Sequence, residues 1–147
     1  MSPAQQFCTF LLDGLLFGLD VERVQEVIRY QPLTPVPLAA PRIAGLINLR
    51  GQIVPAIDLR LQLGMTPRPA GLLPTNVVVR APDGPLSLLV DEVGDVLTVA
   101  GGRLEPPPDS LDPAARRLLR GVCQLPHGLL LVLDDQAAIT GKESNDG

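Results

Sequence analysis

The chain has 147 residues, a formal net charge of −4 and 46% hydrophobic residues, which suits one compact domain or one domain built as two small lobes. Its 14 Gly and 16 Pro break it into short elements, so long helices and coiled coils are excluded. Basic residues are few and there are only 3 Phe, 1 Tyr and 0 Trp, which argues against nucleic-acid binding. No apolar run is long enough to span a bilayer and the N-terminus lacks the basic region of a signal peptide, so a cytoplasmic location is predicted.

Four hairpins are predicted where turn residues separate strand-like apolar runs. Gly, Asp and Pro in such positions favour tight turns, several of which need positive φ at their centre. In chain order, the paired strands are 6–12 with 15–19, 43–49 with 52–57, 75–80 with 85–90, and 121–125 with 128–133. A further strand over 93–99 is expected to be bent or bulged at Gly94.

Short helices are predicted between the hairpins. Val21, Val24, Val27 and Ile28 recur at helical spacing, which predicts a helix over 21–28 with Asp20 as its N-cap. Asp, Gly and Pro at the ends of other segments predict further short helical elements. These are a turn over 59–63 capped by Asp58 and closed by Gly64, a helix over 112–119 with Pro113 in its first turn, and a turn over 134–140.

Nine or ten short strands with three or four short helices predict a mainly β fold. Adjacent hairpins close their edges by curling into small barrels. Two five-stranded barrels suit the aromatic-poor composition better than one ten-stranded barrel, because each needs only a small core of Val, Leu and Ile. The predicted domain covers 5–140, a proline-rich stretch over 32–41 is expected to be extended, and 141–147 form a polar tail.

No catalytic, cofactor-binding or metal-binding constellation is recognised. His127, the one histidine, falls in a predicted turn, and Cys8 and Cys123 lie in apolar strands without a second ligand at suitable spacing. The acidic pairs 91–92 and 134–135 do not follow a calcium-loop pattern and are interpreted as solvated strand ends.

A small basic patch follows the three consecutive prolines at 106–108. Arg116, Arg117 and Arg120 lie on or just after the predicted helix over 112–119. Two interpretations remain open, a solvated helix face and a contact surface for a partner.

Residues 45–60 carry a family signature. They read Gly-Leu-Ile-Asn-Leu-Arg-Gly-Gln-Ile-Val-Pro-Ala-Ile-Asp-Leu-Arg and are followed by Leu63-Gly64, a segment that closely resembles the signature of the CheW family. Further similarities follow in the family's order from about Phe7 to Ala138, nearly the whole chain. They lie at 17–21, 24–28, 35–37, 40–41, 89–93, 119–122 and 131–134.

The resemblance implies a fold of two SH3-like five-stranded β-barrel lobes and a non-catalytic function. CheW-like proteins are scaffolding adaptors of bacterial chemosensory arrays, which couple the cytoplasmic tip of a methyl-accepting chemoreceptor to the regulatory domain of the histidine kinase CheA. An isolated CheA-type regulatory domain would look similar, and a CheW-like fold recruited to a non-motility signalling partner is the other alternative. Neither a cofactor nor nucleic acid nor direct membrane insertion is expected.

The resemblance also indicates which residues bind partners or shape the binding groove. One set lies around the signature hairpin and consists of Val24, Glu26, Gly45, Asn48, Arg50 and Gly51. Val90, Val93 and Val96 are expected on the opposite wall of an inter-lobe groove that accepts a receptor helix.

Arg50 is the most informative of these positions. In a hairpin of apolar strands it is expected to be partly buried, and a buried guanidinium needs a partner. We therefore predict that Arg50 pairs with Glu26 and holds the helix over 21–28 against the hairpin. Gly51 is explained by the turn itself, and Val24 has a second interpretation as a core residue.

Overall fold

The computed structural model describes residues 4–37, 42–100 and 104–140, and within them the fold is mainly β. The strands are β1 (Gln5–Leu12), β2 (Leu15–Asp20), β3 (Val24–Ile28), β4 (Ile43–Leu49), β5 (Gln52–Asp58), β6 (Thr75–Ala81), β7 (Gly84–Val90), β8 (Glu92–Val99), β9 (Leu119–Leu125) and β10 (Gly128–Leu133). The helices are α1 (Leu59–Gln62), α2 (Pro113–Arg117) and α3 (Asp135–Thr140), and a 3₁₀ turn spans Val21–Arg23.

The strands form two five-stranded sheets, as the sequence predicts. The terminal lobe has the order β8-β1-β2-β10-β9, and the central lobe has the order β3-β6-β7-β5-β4. All four predicted hairpins are present. In the first, Asp13 and Gly14 adopt φ of 50° and 81°, the positive values that a two-residue type I′ turn requires.

The predicted helix over 21–28 is wrong. Only the 3₁₀ turn is helical, with the Asp20 carboxylate accepting from the Glu22 amide, and β3 follows it and pairs with β6. Along β3 burial alternates from residue to residue, which is the strand period. The valine spacing resembled a helix because Val27, on the exposed side of β3, adds an apolar residue outside the inward positions of the strand. A bulge also interrupts the register between Val24 and Glu26.

The two halves of the chain follow the same path. β1–β5 and β6–β10 each begin with a hairpin in one lobe and then cross to contribute three strands to the other lobe. Aligned by strand register, Val24 matches Val93 at the start of a bulged edge strand, because Val24 pairs with Val79 and Val93 with Phe10. The shift opposite Cys8 and Phe10 also confirms the irregularity predicted near Gly94. Each lobe is therefore completed by strands from both halves.

Helix caps fall at equivalent places in the halves. The Asp58 carboxylate accepts from the Arg60 amide at 3.0 Å at the start of α1, and the Asp134 carboxylate accepts from the Ala137 amide at 3.0 Å at the start of α3. The predicted turns over 59–63 and 134–140 are thus present, and the predicted helix over 112–119 is shorter, as α2. The predicted tail over 141–147 lies outside the described residues.

The buried apolar side chains of the described residues form three clusters. The largest lies between the lobes and takes residues from both sheets and all three helices, among them Phe10, Phe17, Leu59, Val79 and Ala138. A smaller cluster fills each lobe, around Val54 in the central lobe and around Phe7 in the terminal lobe. The shared cluster makes the interface between lobes a core rather than a contact of two finished domains.

Candidate partner-binding surfaces

The signature hairpin between β4 and β5 is closed by two residues in the left-handed region. Arg50 has φ of 51° and Gly51 has φ of 85°. The Asn48 side-chain oxygen accepts from the Gly51 amide at 2.8 Å, which fixes the turn. No atom lies within 4 Å of a Cβ built on Gly51, so its requirement is conformational, as predicted, and not steric.

Arg50 and Glu26 form the predicted pair. The guanidinium donates from Nη1 to Oε1 at 3.0 Å and from Nη2 to Oε2, a bidentate geometry that links the hairpin to β3. This contact lowers the pKa of Glu26 and raises that of Arg50, in both cases chiefly through the hydrogen bonds between them. The expected burial is wrong, because the Arg50 side chain is 67% exposed, and the paired element is a strand instead of a helix.

Gly45 is required by a close approach of backbone. A Cβ built there would lie 2.8 Å from the carbonyl oxygen of Thr34, nearer than side-chain atoms come in folded proteins. Thr34 and Leu46 exchange two backbone hydrogen bonds of 2.9 Å, which tie the described part of the proline-rich segment, residues 32–37, to β4, and residues 38–41 of that segment lie outside the described residues. Gly45 therefore allows the backbone at Thr34 to pack closely against β4 of the signature hairpin.

The valines of the predicted groove divide into core and surface positions. Val90 is fully buried, and Val24 and Val93 are partly buried against the core between the lobes. Only Val96 is open, with 52% of its surface exposed on the edge strand β8. The equivalent residue on β3 by strand register is Val27, which is 42% exposed. The sequence analysis did not propose Val27 as a binding residue, because it placed this valine in a helix.

A nearly buried ionic cluster joins the lobes, and sequence reasoning missed it. Asp91, between β7 and β8, accepts from Arg60 Nε at 2.9 Å and from Arg68 Nε at 2.8 Å. It also accepts from the amide of Asp13 in the β1–β2 turn at 2.8 Å, and Arg68 Nη1 lies 3.5 Å from Asp58. The interpretation of Asp91 as a solvated strand end is wrong, since its side chain is 11% exposed.

The cluster keeps Asp91 ionised. Burial alone would raise the pKa of Asp91, but hydrogen bonds from Arg60, the Asp13 amide and Arg68 outweigh it and lower the pKa from 3.8 to about 2. The same contact, with Asp91 as acceptor, raises the pKa of Arg60. The second acidic pair is structural too, because Asp134 caps α3 and Asp135 pairs with Arg23.

An apolar depression of about 420 Å³ lies at the hairpin end of the terminal lobe. Its walls come from the β1–β2 turn, the β9–β10 hairpin and the loop before α2, and they include Leu15, Leu111, His127 and Leu129. Leu15 and Leu129 are exposed there. Such a surface suits an apolar contact with another protein better than a reaction.

Two searches of the described residues give negative results. No helix among them is long and apolar enough to cross a membrane. Nor do they contain a group of three or more His, Cys, Asp or Glu side chains placed to hold a metal ion.

Comparison with known proteins gives a consistent set of relatives. The CheW-like domain family matches residues 6–143. The chemotaxis protein CheW of Rhizobium meliloti is 29% identical over 139 residues, covering 95% of this chain and 90% of its own length. CheW of Bacillus subtilis is 28% identical over 145 residues, with 99% and 92% covered, and the protein FrzA of Myxococcus xanthus is 34% identical over 130 residues, with 83% and 76% covered.

A solved structure shares the whole fold. The crystal structure of the scaffolding protein TtCheW from Thermoanaerobacter tengcongensis superimposes with a TM-score of 0.79 at 28% identity. The match covers 97% of each chain, so it includes both lobes.

Proposed function

This chain belongs to the CheW-like family and is a non-catalytic chemosensory adaptor, and we propose that it couples the cytoplasmic tip of a chemoreceptor to the regulatory domain of a CheA-type histidine kinase. The observation that carries the proposal is the match of family and fold over both lobes, since an adaptor needs two binding surfaces at once. Because both partners would present cytoplasmic parts, we place the adaptor in the cytoplasm.

Two of the four edge strands, β3 and β8, form the proposed receptor-binding surface. β3 and β8 each have one exposed valine, Val27 and Val96. Exposed apolar side chains of this kind can pack against the apolar stripe of an amphipathic receptor helix. The Arg50–Glu26 pair fixes the signature hairpin against β3, and Gly45, Asn48 and Gly51 support that geometry. We assign Arg50 a positioning role.

The apolar hairpin ends are the proposed kinase-binding surfaces. The depression near Leu15 and Leu129 lies at the end of the terminal lobe, and Ile53, 62% exposed, occupies the register position in the central lobe that Leu129 occupies in the terminal lobe. A homologous β lobe of the kinase can pack on such an end through aliphatic side chains.

A binding titration tests the function. We expect the wild-type chain to bind a kinase regulatory domain and a receptor-tip fragment from the same organism, each with micromolar affinity. Val96→Glu should weaken receptor binding at least tenfold, because a charge would be desolvated in an apolar contact, and should leave kinase binding unchanged. Leu73→Glu, an equally exposed aliphatic position on the loop before β6, is the matched control.

The outcome decides between adaptor and alternatives. Binding of the kinase and the receptor fragment supports the coupling role. Binding of neither by a folded sample would contradict it and indicate a CheW-like fold recruited to another signalling partner. Equal losses for Val96→Glu and Leu73→Glu would contradict the assignment of the edge strands.

A further inference from the structure

We propose that the α2 end of the terminal lobe is a separate docking surface for an acidic segment of a partner protein, with Arg116 and Arg117 as its binding residues. The inference rests on the proposed function for the identity of the partner, which is the kinase regulatory domain, because the loop just before α2 also lines the proposed kinase-binding depression. Its chemistry rests on the residues of the surface alone.

The surface is concave and carries two arginines. An open depression of about 390 Å³ is lined by Pro113, Arg116, Arg117 and Leu119. Both arginines lie in the last turn of α2, and both line this depression. Pro113 and Leu119 supply apolar walls beside them.

The arginines of this surface retain unused donors. Elsewhere in the described part of the chain, arginines 23, 42, 50, 60, 68, 80 and 120 donate to carboxylate, amide or backbone oxygens, and the exposed Arg29 does not. Among the described residues, Arg117 donates to no acceptor. Arg116 reaches only the fully exposed Asp109, at 3.5 Å, and its buried Nε–H has no acceptor.

Unpaired guanidinium donors beside an apolar wall favour a carboxylate ligand. The contact of Arg116 Nη1 with the fully exposed Asp109 is long, at 3.5 Å, so an incoming carboxylate can displace Asp109 and pair with the Nη groups of Arg116. The chain as a whole carries a net charge of −4, so attraction of an acidic segment depends on this local positive charge. The apolar walls fit an aliphatic residue next to the acidic one.

The surface lies in a segment that is longer in the terminal lobe than its counterpart in the central lobe. By strand register, Glu105 in the terminal lobe is equivalent to Thr34 in the central lobe, and Leu118 is equivalent to Arg42. Twelve residues (106–117) separate the first pair and include α2, whereas seven (35–41) separate the second pair. The arginine pair is therefore an addition to the repeated plan of the fold.

A peptide titration followed by two-dimensional ¹H–¹⁵N NMR tests the chemistry. The probe is a capped synthetic peptide of three glutamates and two leucines, and the control peptide has glutamine in place of glutamate. We expect the acidic peptide to shift the amides of residues 114–119 and the Nε–H signal of Arg116, with affinity that falls as salt rises. The glutamine peptide should cause no such shifts.

Substitution of the two arginines tests whether they bind the acidic peptide. Arg116→Gln with Arg117→Gln should raise the dissociation constant of the acidic peptide about threefold to tenfold, as expected for two partly exposed charged contacts. Arg29→Gln is the matched control, because Arg29 is an exposed arginine of the central lobe. Equal effects of the double variant and the control would overturn the proposal, and so would equal binding of inorganic phosphate at matched ionic strength, which would indicate a general anion site.

The same double variant separates this proposal from the adaptor function. Weaker binding of the double variant to the kinase domain supports the docking surface, and a loss confined to the receptor fragment overturns it. If wild type and variant bind the two partners equally, the docking surface is overturned and the adaptor function stands. If wild type binds neither partner, the adaptor function fails, and the peptide titration still decides whether the surface binds carboxylates.

Discussion

Asp91 is the residue through which the ionic cluster connects the lobes. It lies between β7 of the central lobe and β8 of the terminal lobe, and it binds α1, the loop before β6 and the β1–β2 turn. Two nearly buried arginines depend on its charge, Arg60 and Arg68. Loss of a buried pair's partner costs more than the pair itself contributes, because a desolvated charge is left behind.

Asp91→Asn should therefore destabilise the protein by about 3 kcal/mol. Urea denaturation measures the change in the free energy of unfolding. Asp83→Asn, at an exposed hairpin turn, should stay within about 0.5 kcal/mol of wild type. A loss for Asp91→Asn no larger than that of the control would show that the cluster does not stabilise the fold.

The lowered pKa of Asp91 predicts an acid-sensitive contribution to stability. Its pKa is about 2 in the folded protein against 3.8 for the free group, so the unfolded chain binds the proton more readily. The contribution, about 2 kcal/mol, is complete above pH 4 and is lost as the pH falls through 2. Urea midpoints at pH 6, 4, 3 and 2 should show the gap between wild type and Asp91→Asn narrowing below pH 4, and a constant gap would contradict this.

Sequence could predict local side-chain roles better than long-range ones. The Asp58 cap and the Arg50-Gly51 turn depend on neighbours a few residues away. The Arg50–Glu26 pair was predicted from the need of a partly buried guanidinium for a partner. The partners of Asp91 are Asp13, Arg60 and Arg68, which lie 78, 31 and 23 positions away from it along the chain. No local sequence pattern reveals contacts over such separations. The exposure of Arg50 was missed for the same reason, since it depends on how the hairpin packs.

At the scale of elements, turn chemistry was a better guide than apolar spacing. Asp13-Gly14 and Arg50-Gly51 require positive φ, and both hairpins form where these residues lie. The valine pattern over 21–28 was consistent with two periods, and pairing of β3 with β6 selected the strand. Propensity pointed the same way, because Val24, Val27 and Ile28 are all β-branched.

Two glycines tie the same kind of crossing segment to a hairpin in each lobe. A Cβ on Gly121 would lie 2.8 Å from the carbonyl oxygen of Glu105, as a Cβ on Gly45 would from that of Thr34. Gly45→Ala and Gly121→Ala should each cost about 1–3 kcal/mol and should speed hydrogen exchange at the adjacent bridge amides, Leu46 and Val122.

Gly51→Ala separates crowding from backbone strain. It places a Cβ in open space at φ of 85°, so it should destabilise the turn without faster exchange at Leu46. If all three variants left bridge exchange unchanged, the close approach would not be what requires glycine at Gly45 and Gly121.

At the scale of the whole molecule, the shared core predicts a single unfolding transition. Phe10 and Phe17 of the terminal lobe and Val79 and Leu88 of the central lobe belong to one buried cluster, so neither lobe keeps its packing when the other unfolds. In a Cys123→Ser background, Cys8 labelling reports on the terminal lobe and Tyr30 fluorescence on the central region. Their urea midpoints should coincide, and separated midpoints would show that the lobes unfold independently.

The exchange of strands between halves has an evolutionary consequence. Two copies of one half, related by a twofold axis, would contain every strand pairing seen here, with each copy lending its first hairpin to one lobe and its last three strands to the other. The topology is that of a strand-swapped homodimer fused end to end through residues 63–74. That joint has a structural role of its own, because Arg68 within it binds Asp91 and so attaches the joint to the boundary between the two lobes.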